Sequence, residues 1–185
     1  MIYEHADTNI TKIKFMREAA QVKRCHTVPI IGEYNVGYHS FNMLAMLRIF
    51  FPAARIELVW AIVEHDAPER LTGDIPAPPK WFGIIDKAEL GKLESQILTD
   101  VLGLNTCEFL MDEEIKMLAT LDILELAFFC RDQIMLGNRN MEVMLARIHR
   151  FIEKQAHLFT PKLLDTYWEA MHDDWSMLPD LGDRR

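Results

Sequence analysis

The stretch IELVWAIVEHDAPERLTG, residues 56–73, decides the fold class of this 185-residue chain. Its apolar first part is too long for a typical β-strand, so we predict a helix that Pro68 ends or kinks. The residues after Pro68 can form a short new turn that closes near Gly73. Further helices are predicted over 8–22, 35–51, 84–102, 112–136 and 141–158 and after Pro161. Because strand signals are almost absent, the sequence predicts one all-α domain over residues 1–185.

Composition excludes several classes of function. The net charge of −8 argues against a nucleic-acid polymer as partner. The three cysteines are widely spaced and form no C-x-x-C motif, which favours a reducing compartment. No signal-peptide pattern is visible, and no apolar run approaches the ~20 residues that span a bilayer. We therefore predict a cytoplasmic protein without a membrane partner.

Three polar residues lie on the apolar stripes of predicted helices. His39, His65 and Asp122 each stand at helical spacing from several apolar side chains. A buried carboxylate costs several kcal/mol unless it is paired or binds a metal. Together with Asp66, these residues supply two imidazoles and two carboxylates, a set suited to a divalent transition metal with open positions. A second His-Asp pair, at 172–173, stands among acidic residues near the chain end and is set aside.

A structural interpretation of the same residues has its own support. A buried histidine is more often a hydrogen-bonded core residue than a metal ligand. Asp122 could equally form an ion pair with Arg24 or Arg131. Periodicity alone does not bring three helices together, so the residues by themselves leave both interpretations open.

Besides the His65-Asp66 pair, other charged residues are candidates for catalysis or substrate binding. Glu69 could serve as a general acid or base, or be a first-turn residue favoured by the helix dipole. Asp74 could cap a turn or accept a hydrogen bond from a substrate hydroxyl. Lys80 and Arg24 could bind phosphate oxygens or simply be solvated at the surface.

These residues resemble a known family. His39, His65-Asp66 and Asp122 are similar to the H…HD…D signature of the HD-domain metal-dependent phosphohydrolases. The segment HDAPERLTGDIPAPPKW (65–81) resembles the HD-x-x-E-x-x-T-G-D-x-P-x-P-x-K segment of the 5′-deoxynucleotidase branch. Arg24 also lies at the matching distance before NVGYHS (35–40). The resemblance covers residues 24–122, and the TGDIPAPPK extension is its most specific part.

The resemblance implies a fold, a cofactor and residue roles. The fold would be an all-α HD-domain helical bundle that holds one divalent transition metal (Mn, Co, Fe, Ni or Zn). The implied ligands are His39, His65, Asp66 and Asp122. Glu69 would position or activate the attacking water, whereas Arg24, Asp74 and Lys80 would contact the sugar or the phosphates.

The implied activity is hydrolysis of the 5′ phosphate ester of (deoxy)nucleotides. Either a monophosphate yields nucleoside and phosphate, or a triphosphate such as dATP yields nucleoside and triphosphate. The alternatives are another HD-type hydrolase of cyclic or signalling nucleotides, or a non-catalytic nucleotide- or metal-binding module. A small-molecule nucleotide is the expected partner, and we expect the protein to be a homo-oligomer.

The chain departs from the 5′-deoxynucleotidase branch at three positions. Cys25 stands where the branch usually has a tryptophan that packs on the deoxyribose, which implies room for a 2′-hydroxyl unless Trp81, Ile30 or His26 fills it. Tyr34 and Tyr38 stand where acidic residues are common. Because residues behind a metal ligand tune it, these tyrosines are expected to alter the surroundings of His39.

Overall fold

Helices account for the regular structure of the computed structural model, which describes residues 8–76, 79, 83–103 and 105–172. We number the α-helices in chain order: α1 (Asn9–Ala19), α2 (Val36–Phe50), α3 (Ile56–Glu64), α4 (Glu69–Thr72), α5 (Lys87–Leu102), α6 (Asp112–Met135), α7 (Asn140–Lys154) and α8 (Pro161–His172). Two short 3-10 turns, Thr106–Phe109 and Ala156–Leu158, join some of them. Within the described ranges there is no strand, only an isolated bridge between Lys23 and Asn35. The all-α prediction is confirmed there.

Side-chain caps explain where several helices begin. The Asn35 side chain accepts a hydrogen bond from the Tyr38 backbone N–H at 2.9 Å, so α2 starts as predicted. Asp86 accepts one from Ala88 N–H at 2.8 Å and thereby starts α5 at Lys87 rather than at residue 84. The predicted start was wrong because the apolar pair Ile84-Ile85 extends the helical pattern beyond the cap. Likewise, α7 ends at Lys154, and a 3-10 turn covers residues 156–158 of the predicted helix.

Helix α6 is the centre of the packing. It contacts α2, α3, α7 and α8, and its buried Leu121, Leu124 and Ala127 belong to the main apolar core. A smaller core lies between α1 and α5 and includes Phe15 and Leu98. Burying a large aliphatic side chain contributes about 1.5–3 kcal/mol, so the α6 contacts hold the fold together more than any cap does.

The contacts among α2, α3 and α6 place their polar residues on a common side. Each of these three helices touches the other two. The loop before α2 is fixed by backbone hydrogen bonds from Arg24 to Tyr34 (2.9 Å) and from Val36 to Val22 (3.0 Å). Arg24, at the start of this loop, is therefore held beside α2, near the polar residues of the three helices.

None of the described helices combines the length and the apolar character that crossing a membrane requires. The single-domain organisation and the cytoplasmic location stay predictions.

Candidate metal centre

Three helices bring His39, His65 and Asp122 together. One potential ligand atom from each lies within 4.8 Å of those of the other two. His39, from α2, is completely buried, and His65 follows the last residue of α3. Asp122, from α6, is half-exposed, so the group is open to solvent on the side of this carboxylate.

Asp66 completes a His-Asp cluster, defined here as His39, His65, Asp66 and Asp122. Its Oδ2 atom lies 3.6 Å from Nε2 of His39 and 3.3 Å from Nε2 of His65. Nε2 of His39 is also 3.1 Å from Oδ1 of Asp122. Two ligands each about 2.1 Å from one ion lie roughly 3.0–3.4 Å apart in octahedral or tetrahedral geometry. These three separations, 3.1, 3.3 and 3.6 Å, are close to that range.

The outer nitrogen of each imidazole is already engaged. Nδ1 of His65 lies 2.8 Å from the Ile62 carbonyl oxygen, which only accepts, so Nδ1 carries a proton. Nδ1 of His39 contacts the carboxylate of Glu125 in the same way. In the neutral rings, both Nε2 atoms therefore bear the lone pair, and neither makes a hydrogen bond of acceptable geometry. Buried lone pairs that face carboxylates suit a cation between them.

Arg24 is the permanently charged residue of this region. Its Nη1 donates a hydrogen bond to Oδ2 of Asp66, and its Nη2 lies 3.5 Å from Oδ1 of Asp122. Among the described residues, these two carboxylates share this one guanidinium as a permanently charged partner. While both imidazoles are neutral, two carboxylates and one guanidinium leave net negative charge, which a divalent cation would offset. The Arg24–Asp122 pair is also what the structural interpretation predicts.

The charges shift the pKa values of the cluster. Burial alone would lower the pKa of His65, but the adjacent Asp66 raises it to about 9. Burial opposes ionisation of Asp66, yet His65 and Arg24 hold the pKa of its carboxyl well below the usual range. The Asp122 carboxyl pKa is lowered against desolvation by His39 and Arg24. Each group therefore favours the charged form that its neighbours stabilise.

The two residues proposed for acid-base or hydroxyl chemistry lie beside Arg24. Glu69 is buried at the start of α4, with its Oε1 3.9 Å from Nη1 of Arg24. Asp74 accepts a hydrogen bond from the Cys25 backbone N–H at 3.0 Å, and the same oxygen lies 3.6 Å from Nδ1 of His26. Asp74 thus ties residues 73–76 to the loop after Arg24, which is a positioning contact within the protein.

The remaining predicted substrate contacts divide in two. Cys25 is half-buried, packs against the main core and has a positive φ of 54°. Burial raises the pKa of its thiol to about 11, although Arg24 opposes this, so the thiol is neutral at physiological pH. Lys80 and Trp81 lie outside the described residues.

Sequence reasoning missed Glu125, a buried carboxylate one turn beyond Asp122 on α6. It contacts His39 Nδ1, accepts from the Tyr34 hydroxyl at 2.5 Å and accepts from the Asn42 side-chain amide at 3.0 Å. Its position between Leu124 and Leu126, three residues after a candidate ligand, was an available signal. The Tyr34 hydroxyl lies 3.2 Å from Nδ1 of His39, and its effect on a metal ligand stays a prediction. Tyr38 is half-exposed.

The chain matches no protein-family model, and none of the curated proteins is significantly similar to it.

Proposed function

We propose that this protein is a divalent-metal-dependent phosphohydrolase of the HD-domain type that cleaves the 5′ phosphate ester of (deoxy)nucleotides. The observation that carries the proposal is the convergence of His39 Nε2, His65 Nε2 and Asp122 Oδ1 from three helices, with Asp66 beside them. Structural histidines in a core satisfy their ring nitrogens with protein partners. Here the two Nε2 atoms face carboxylates without a hydrogen bond, and a metal ion would satisfy all four groups.

The cofactor in this proposal is one divalent transition metal (Mn, Co, Fe, Ni or Zn), held by His39, His65, Asp66 and Asp122. When bound, such an ion supplies Lewis-acid chemistry and lowers the pKa of a coordinated water. The buried Glu69 carboxylate, near the cluster but outside it, suits proton transfer during the reaction.

Arg24 has a second role in the proposal. A guanidinium that pairs with Asp66 and Asp122 in the metal-free protein becomes available to a substrate phosphate once a divalent ion neutralises those carboxylates. Recognition of the phosphoryl group by a rigid donor array stabilises charge that develops in the transition state. Asp74, which fixes Cys25, would shape the adjacent sugar-binding region.

A non-catalytic role is the second candidate, and the Arg24 ion pairs favour it. The guanidinium already neutralises part of the charge on Asp66 and Asp122, as a purely structural ion-pair cluster would require. Binding of metal or nucleotide without turnover would support this candidate. A hydrolase of cyclic or signalling nucleotides would use the same metal ligands. A panel of nucleotide substrates distinguishes it from an enzyme that cleaves 5′ phosphate esters.

The test is a metal-supplemented assay with product masses. Metal-stripped protein is loaded with each of Mn²⁺, Co²⁺, Fe²⁺, Ni²⁺ and Zn²⁺ and given deoxy- and ribonucleoside mono- and triphosphates. Orthophosphate from monophosphates identifies a nucleotidase, and intact triphosphate identifies a triphosphohydrolase. Asp66→Ala should lose most bound metal and all activity, whereas Asp100→Ala, at an exposed aspartate of α5, should lose neither. Absence of tight metal binding in the unmodified protein would refute the proposal.

A further inference from the structure

The geometry points to Glu125 as the residue that fixes the proton on Nδ1 of His39 and so presents the Nε2 lone pair to the metal. The effect on metal binding rests on the proposed function. The tautomer of His39, in contrast, is a property of the metal-free protein. Glu125 is therefore a positioning residue rather than a catalytic one.

The contacts of Glu125 are specific to this task. Its carboxylate is buried and has three polar neighbours: His39 Nδ1 and the Tyr34 hydroxyl at Oε2, and the Asn42 amide at Oε1. Tyr34 has one hydroxyl proton, and the 2.5 Å distance assigns that proton to Glu125 rather than to His39, 3.2 Å away. Nδ1 of His39 then has no donor to accept from in this group and must itself be protonated.

Other contacts keep the carboxylate in place. The Tyr34 ring stacks on Phe129 with centroids 3.8 Å apart, and Phe129 is one turn beyond Glu125 on α6. Asn42 is three residues after His39 on α2, so one helix supplies both the imidazole and the amide. The network joins α2 to α6 on the Nδ1 side of the His39 ring, and the Nε2–Asp122 contact joins them on the other side.

The network includes one of the positions at which the sequence departs from the resembled branch. Tyr34 stands where the resembled branch commonly has an acidic residue, and in this chain the carboxylate beside His39 belongs to Glu125 of α6. Tyr34 retains a function by donating to that carboxylate. An imidazole whose distal N–H donates to a carboxylate is a more basic ligand with a fixed ring orientation, and loss of such a partner typically costs 10–100-fold in metal affinity.

The first measurement needs no variant. Long-range ¹H–¹⁵N spectra of the metal-free protein, recorded at a pH at which the His39 ring is neutral, report which nitrogen carries the proton. We expect the Nδ1–H tautomer. Observation of the Nε2–H tautomer would overturn the inference whatever the behaviour of any variant.

The second measurement compares three variants by tautomer and by Zn²⁺ or Mn²⁺ dissociation constant. Glu125→Gln should raise the dissociation constant by about 10–100-fold and release the tautomer preference, whereas Glu125→Asp should be intermediate. The matched control is Glu114→Gln, which alters another buried α6 carboxylate, one that binds Arg55 at 2.9 Å instead of the cluster. This control should lower the melting temperature but leave both readouts unchanged.

The outcomes separate this inference from the proposed function. A wild-type Nδ1–H tautomer that Glu125→Gln abolishes, in a protein that binds no metal, would support the positioning role and refute the metal-dependent function. Metal binding that is equally tight in wild type and in folded Glu125→Gln would refute the positioning role and leave the function standing. Circular dichroism establishes folding in each case, and Glu125→Asp supplies the comparison if the glutamine variant does not fold.

Discussion

Nη1 of Arg24 donates a hydrogen bond to Oδ2 of Asp66, the residue that directly follows the candidate ligand His65. Nη2 of the same guanidinium lies 3.5 Å from Oδ1 of Asp122, and the Arg24 side chain is only slightly exposed. In the metal-free protein, Arg24 thus offsets negative charge that a divalent ion would offset in the metal-bound protein. This relationship makes Arg24 the residue that best distinguishes a structural ion-pair cluster from a metal site.

Replacement of Arg24 by Gln should destabilise the metal-free protein more than the metal-bound one. Without its guanidinium, Asp66 and Asp122 lose their permanently charged partner among the described residues, and breaking the largely buried Arg24–Asp66 pair costs about 3–5 kcal/mol. Saturating Zn²⁺ or Mn²⁺ should restore most of the loss, because the ion takes over the neutralisation. Thermal unfolding with and without metal measures the difference.

The control for Arg24→Gln is Arg139→Gln, which removes an exposed ion pair with Glu142. It should change the melting temperature little and equally with or without metal. If Arg24→Gln is destabilised to the same extent under both conditions, its ion pairs are independent of the metal. In the loaded enzyme the variant should also show a higher KM for nucleotide, as expected for a lost phosphate contact.

The local pattern predicted which residues would lie on the inner faces of helices, but not how the helices would meet. Helical spacing alone identified His39, His65 and Asp122, because an apolar stripe determines the inward face. Their convergence depends on long-range packing of α2 and α3 against α6, which no local pattern contains. The additional partner, Glu125, was missed because a carboxylate inside an apolar stripe becomes interpretable only when its three donors from other elements are known.

Glu69→Gln should separate metal binding from turnover. Glu69 lies at the start of α4, buried and near Arg24, but it is not among the predicted ligands. Loss of a general acid or base typically reduces the rate by about 100-fold or more. We therefore expect metal content to stay at the wild-type level while kcat falls to that extent, measured by elemental analysis and steady-state kinetics.

The comparison variant for Glu69 is Glu64→Gln. Glu64 ends α3 and accepts a hydrogen bond from the Thr106 backbone N–H at 3.2 Å, so its replacement affects packing near the 3-10 turn instead. It should retain most of the activity. Simultaneous loss of metal and activity in Glu69→Gln would show that Glu69 is a ligand or a structural residue.

The stability of the metal-free protein should decrease as the pH rises from 6.5 to above 9. The pKa of His65 is raised from 6.5 to about 9, because Asp66 outweighs the effect of burial. A raised folded-state pKa gives stability that is fully present below the unfolded-state pKa and is lost as the pH rises through the folded-state value. A difference of this size corresponds to on the order of 3 kcal/mol, measurable by urea unfolding across the range.

Two variants distinguish the contribution of His65 to this pH dependence from that of the other titratable groups. His65→Gln should remove this component of the pH dependence, whereas His157→Gln, at an exposed imidazole, should retain it. Metal affinity should show the opposite trend and rise with pH, because a ligating imidazole must lose its proton. An identical pH dependence of stability in wild type and His65→Gln would contradict the assignment.

The final prediction concerns the selectivity for ribose or deoxyribose. The Cys25 thiol is small, neutral and packed against the core, and the Asp74 side chain holds its backbone at 3.0 Å. Under the proposed function, a tryptophan at this position would cover the sugar face, whereas a cysteine would leave room for a 2′-hydroxyl. We therefore expect kcat/KM for matched ribo- and deoxyribonucleotides to differ by no more than about tenfold, which corresponds to ~1.4 kcal/mol.

Cys25→Trp should sharpen the preference for deoxyribonucleotides, and Cys25→Ala should leave the selectivity of the unmodified enzyme unchanged. The alanine variant should also retain activity, because a neutral thiol supplies no nucleophile. A strong deoxy preference in the unmodified enzyme would show that another side chain covers the sugar. His26 would then be the first candidate, because its ring lies 3.6 Å from the same Asp74 oxygen that holds Cys25. In that case His26→Ala, rather than Cys25→Ala, should admit ribonucleotides, and kcat/KM for the paired substrates decides between the two residues.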